Sequence, residues 1–287
     1  MIATIGRLCA RTRPPAWLAV TALAAAIAAH PSGQKLDDSS KALAARAAKY
    51  VADYQTKFSF LVASETYTQI VTSQAVDKRR VMHGELFLTF LRTDREWIAV
   101  HDIADVDGQP VPNREDLQAL LQRADVTFVA QRVADRNAGF NIGTVSRNFN
   151  EPTLALLVLE AKRIAQFRFD RKDLMERDGV RLATLAFTEH DGPTLVKGDG
   201  YKSVFSRGEL TIEVETGRIR RSVISFDEGH VQASLTTDYM PEDRLGLWVP
   251  STFVEHYDLR DGKLHEQTTC SAIYSNYRRF EVTGRIK

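Results

Sequence analysis

Histidine, cysteine and clustered carboxylates are the residues that could do chemistry here, and their spacing decides what chemistry is open. His83, His101, His190, His230, His256 and His265 stand apart along the chain. No two of them show the HxH or HExxH spacing that places imidazoles on one metal ion. His101-Asp102, His190-Asp191 and Glu255-His256 are adjacent in sequence. In a strand such neighbours point to opposite faces, so none of these is an acid-base pair, and the histidines read as surface or turn residues. The two cysteines are Cys9 and Cys270. Cys270 lies in "EQTTCSAIYSNY", a strand-like run with no base nearby in sequence, and is expected to be a small packed residue. There is no GxSxG. "GDGYKS" lacks the Gly-Lys-Ser/Thr ending of a phosphate loop, and "DVDGQPVPN" lacks the later ligands of a calcium loop, so both read as turns. The expectation is a protein that is not an enzyme, with no metal and no cofactor.

The amino terminus points to a compartment. Arg7, Arg11 and Arg13 precede the run Ala16 to Ala29, which is apolar except for Thr21. That is a basic n-region followed by an h-region too short for the ~20 residues of a membrane span. Residues 1–29 are expected to be a Sec-type signal cleaved near Ala28 or Ala29, leaving residues 30–287 as one periplasmic or secreted domain. Cys9 would leave with the signal, so no intramolecular disulfide is expected. The chain carries 38 Lys and Arg against 37 Asp and Glu. Three arginines lie in the leader, so the remainder would be at −2. Nothing in that balance suggests nucleic acid or a polybasic membrane anchor, and membrane contact is expected to be transient at most.

The elements that must position any site follow from periodicity. Leu43, Ala47, Val51, Tyr54 and Phe58 recur at helical spacing behind capping Asp and Ser residues, predicting a helix from Asp37 to about Lys57. Residues 58–72, 80–91 and "REWIAVHDI" predict successive antiparallel strands. A helical insert spans about 113–163, with Asn113 and Asp116 as caps and a further helix carrying Pro152 in its first turn. From Phe167 onward strands return, punctuated by Asp-Gly steps at 178, 191, 199 and 261. The sum is an α+β fold: one large curved antiparallel sheet, a half-barrel, covered by a few helices. Pro250, in "RLGLWVPSTFVEHYDL", marks an edge, bulge or bend.

"ELTIEVETGRIRRSVISF" alternates on both sides of Thr216-Gly217. A two-residue turn there would set Glu215 opposite Arg218, Glu213 opposite Arg220 and Val214 opposite Ile219. The segment "TIEVETGRIRRSV" is similar to the W-I-D-P-E-T-G-x-P-x-R hairpin of the lipoprotein-carrier superfamily, whose members include LolA, LolB and the N-terminal domain of the stress regulator RseB. "LGLWVPSTFVEHY" resembles the strand that follows it, and "IYSNYRRFEV" resembles uncharacterised secreted bacterial proteins of this fold. The resemblance implies a carrier of a lipid, an acylated protein or another apolar ligand. Leu86, Leu88, Phe90, Leu247, Val249 and Phe253 are the candidate lining residues on the inner sheet face. The alternative is a regulator or assembly factor that binds a cell-envelope protein partner; a hydrolase ranks below both.

Overall fold

The computed structural model describes residues 36–280 except 59, 75–76, 146, 148–150 and 199–201; the proposed leader, residues 1–29, lies outside this range. A helix, α1 (Ser40–Lys57), comes first, with the Ser39 hydroxyl accepting from the Ala42 N–H at its start. Three strands follow, β1 (Leu61–Ser73), β2 (Asp77–Leu91) and β3 (Glu96–Val106), with a two-residue β4 (Gln109–Pro110). The insert holds α2 (Leu117–Arg123) and α3 (Val126–Ala138), capped by Asp116 and Asp125. Nine further strands follow among the described residues: β5 (Phe167–Arg177), β6 (Val180–Glu189), β7 (Val196–Lys197), β8 (Ser203–Val204), β9 (Ser206–Glu213), β10 (Ile219–Glu228), β11 (Val231–Glu242), β12 (Leu247–Asp261) and β13 (Leu264–Arg279).

Eleven of these strands form one open antiparallel sheet, in the order β4-β3-β2-β1-β13-β12-β11-β10-β9-β6-β5; β7 and β8 pair apart from it. The sheet must curve. Nine strand spacings separate β3 from β5, ~43 Å on a flat sheet, whereas the 18 residues of α1 reach only ~27 Å. Yet the Ser40 hydroxyl accepts from the Arg171 N–H on β5, while Phe58, just past the other end of α1, packs edge-on against Trp97 of β3 at 4.8 Å between ring centroids. The inner sheet face, α1 and the run Ala155–Leu159 share one continuous apolar core. A smaller core lies on the outer face, where Val126, Val129 and Val133 of α3 pack on Val62, Phe87 and Val100.

Two sequence expectations are corrected. The run after Pro152 is not an α-helix but a 3-10 turn, Leu154–Leu159, whose last five residues are all buried. It has no polar side to present to water. Glu160 at its end takes hydrogen bonds from Gln55 and Arg95, tying the turn to α1 and to the β2–β3 connection. The hairpin at Thr216-Gly217 is present, but in another register. Ile212 pairs with Ile219, and the Glu213 N–H donates to the Arg218 carbonyl at 2.9 Å. Val214 turns into the core with no exposure and gives its N–H to the Arg181 carbonyl, so the loop spans four residues instead of two. Glu213 consequently bonds both arginines, 3.3 Å to Arg218 and 2.5 Å to Arg220, and Glu215 pairs with Arg181 instead. Both guanidinium groups lie over the Trp248 ring, that of Arg220 at 3.9 Å. Gly217 closes the loop against the backbone of Arg46 in α1.

Other expectations hold. Asp107-Gly108 and Asp178-Gly179 adopt positive φ in hairpin turns, and the β11–β12 ladder is bulged beside Pro250. Asp191-Gly192 lies in the β6–β7 connection, and the step at 199 falls outside the described residues.

Candidate functional site

β3 lies one strand from the sheet's edge, and β4 covers only its last residues, pairing with Asp105 and Val106. From Trp97 to Ile103 no described strand lies beyond it. Asn137 of α3 donates to the His101 carbonyl at 2.6 Å, which places that carbonyl on the side away from β2. By the alternation of an antiparallel ladder, the backbone groups of Trp97 and Ala99 face the same open side.

A cavity of about 450 Å³ occupies this place, bounded by β3, α3, Tyr67 and Gln69 of β1, Met82 of β2, and the loop residues Asn141, Arg147 and Glu151. Its origin is legible in α3. Valines at 126, 129 and 133 bury one stripe of the helix, whereas the neighbouring stripe, Ala130, Ala134 and Ala138, lines the cavity with side chains too short to fill it. Met82, Ile103 and Trp97 supply larger apolar surface. The six residue steps from Trp97 to Ile103 span ~20 Å along β3.

The polar groups divide by face. His101 points inward and meets the Glu65 carboxylate at 2.8 Å with its Nδ1; its side chain is 11% exposed. Its neighbour Asp102 points outward and binds Arg114, in the segment before α2, and Arg136 of α3, tying both to the sheet. The alternation is as expected, but His101 is largely buried and not a surface residue. Arg147 donates to the Ile142 carbonyl at 2.9 Å, to Gln69 Oε1 at 2.8 Å and to Asn141 Oδ1 at 3.0 Å. Tyr67, which lines the cavity, donates at 2.7 Å to Glu255, which is fully buried and also accepts from Tyr257. Burial raises the Glu255 carboxyl above its usual range, with the two tyrosine hydroxyls opposing. Burial also pushes the Cys270 thiol up to about 12, a packed and unreactive group. Among the described residues no three His, Cys, Asp or Glu side chains gather as metal ligands.

No protein-family model matches the chain, and no curated protein matches it. Solved structures similar to it include a domain of a putative outer membrane lipoprotein-sorting protein from Vibrio parahaemolyticus, at 12% identity, covering 85% of this chain and 95% of that one, with a TM-score of 0.37. A DUF1329 family protein from Desulfovibrio piger shares 12% identity over 87% of this chain and 96% of its own, TM-score 0.39. The MucA/MucB complex of Pseudomonas aeruginosa gives 10% identity, 83% and 98% coverage, and a TM-score of 0.19. A lipoprotein-sorting domain is among the neighbours.

The six lining residues expected from sequence all join the inner core. Leu86, Leu88, Phe90, Leu247, Val249 and Phe253 are each at most 7% exposed and belong to the continuous inner core. None of them borders the cavity beside β3. Alternation shows which residues face inward; it does not show where the inner face is covered. α1 and the 3-10 turn share one core with these six, whereas the cavity lies beside β3, further toward the edge.

Proposed function

We propose that the chain is a non-enzymatic binding or carrier protein that holds the apolar chain of a lipid or acylated molecule between β3 and α3. The observation that carries this reading is the cavity of about 450 Å³ with an alanine-lined wall, within the usual size of ligand sites and combining apolar surface with a few fixed polar groups. Residues 1–29 would be removed on export, and the remaining domain would work in the periplasm or outside the cell.

The test is mass spectrometry of organic extracts from the protein purified from its native envelope, beside titration of the stripped protein with a fluorescent fatty acid. A co-purifying acyl species and micromolar uptake are expected. Empty extracts with no uptake would overturn the reading. The open backbone of Trp97 and Ala99 supports a second one, in which an extended segment of an envelope protein adds to the β3 edge; binding of protein but no acyl compound would favour it.

A further inference from the structure

Arg147 is only 5% exposed, and all three of its hydrogen-bond acceptors are neutral: a backbone carbonyl and two side-chain amides. Among the described residues it forms no ion pair. Its Nε is buried without a partner, and so is Nε1 of Trp97, which lines the same cavity. A buried guanidinium without a counter-ion is a costly arrangement for a folded chain. Nearby acids relieve it only in part, Glu255 acting on it through space without a direct bond. Glu65 is engaged by His101, and Glu255 is taken up by Tyr67 and Tyr257. Glu151, also on the cavity wall, has its carboxyl pushed up by burial to about 8 and carries a proton at neutral pH. Asp135 stands exposed on the outer turn of α3, accepting from Gln131.

Both unpartnered atoms are donors, and one belongs to a cation. An anion's oxygen complements the guanidinium, while Trp97, many residue steps along the sheet from Gln69, is a separate donor. We infer that Arg147 receives the anionic head of a single-chain amphiphile, a carboxylate or a phosphate monoester, whose alkyl chain lies along β3 against the alanine stripe. This inference rests on the cavity reading above and adds the class of ligand to it.

The test compares ligands that share one chain and differ in the head. The stripped full-length protein is titrated with oleate, oleoyl lysophosphatidate and oleyl alcohol. Wild type is expected to bind the better of the two anions at least ~10-fold more tightly than the alcohol, and the order of the anions tells carboxylate from phosphate. Arg147→Gln should level anion and alcohol, and Arg147→Lys should keep part of the preference. Equal binding of all three by the wild type would overturn the inference while leaving the cavity reading intact, and so would a preference that survives in Arg147→Gln. Failure of all three to bind would remove the cavity reading itself and this inference with it. The wild-type comparison stands alone if the glutamine variant does not fold.

Discussion

Replacing Gly217 by alanine should destabilise the protein by about 3 kcal/mol or more, a loss at the upper end for a single substitution. Two costs combine. Gly217 has φ +71°, a conformation that costs a residue bearing a Cβ roughly 1–2 kcal/mol. A Cβ there would also come within 2.4 Å of the Arg46 carbonyl carbon and oxygen and 2.8 Å of the Ala47 nitrogen. These are backbone atoms of α1, so relief requires lifting the helix that buries Leu43, Ala47 and Val51. Gly262 supplies the control. Its φ is +58° with nothing within 4 Å of an added Cβ, so Gly262→Ala should cost only about 1 kcal/mol. Denaturant unfolding of both variants checks this, and equal losses would mean that α1 is not seated on the β9–β10 loop.

Glu151→Gln should make stability less dependent on pH. Burial raises the Glu151 carboxyl from 4.5 to about 8, with the Thr153 hydroxyl opposing the shift and the charge of Glu96 adding to it. Between those values the folded chain holds a proton that the unfolded chain has released. The stability this group provides is therefore complete below pH 4.5 and is lost as pH rises through 8, at about 1.4 kcal/mol per unit. Glutamine keeps the neutral shape and cannot ionise. The variant should match the wild type near pH 4.5 and exceed it by about 4 kcal/mol at pH 8. Melting curves across this range decide it; parallel profiles would show that Glu151 is not desolvated beside the cavity.

The ladder of the sheet was largely legible because each strand carries its own alternation and each turn its own Gly or Asp. The hairpin at 209–226 shows the limit of that reading. Charge matching favours a two-residue turn, but burying Val214 and seating Gly217 on α1 outweigh two exposed ion pairs, each worth ~0.2–1 kcal/mol. Glu213 is still paired, since two arginines stacked on Trp248 cover it. The site was less legible. The six apolar candidates and Trp97, Ala99, His101 and Ile103 of the cavity wall carry the same inward alternation, and coverage by another element, which no local pattern encodes, separates them. Ala130, Ala134 and Ala138 are visible in sequence as a small-residue stripe, yet such a stripe can equally mean close packing. Arg147 stands in a stretch without acids, and its isolation becomes meaningful only once burial is known.

The central claim is that the space between β3 and α3 is a binding site, and filling it is the most direct trial. Ala134 borders the cavity and is exposed, so Ala134→Trp obstructs the site without entering the core. The measurement is titration of wild type and variant with one fluorescent fatty acid, with far-UV spectra recorded alongside. Micromolar binding by the wild type, weakened at least ~10-fold in an equally folded variant, is the predicted result. A wild type that does not bind, or a filled variant that binds as well as the wild type, would contradict it.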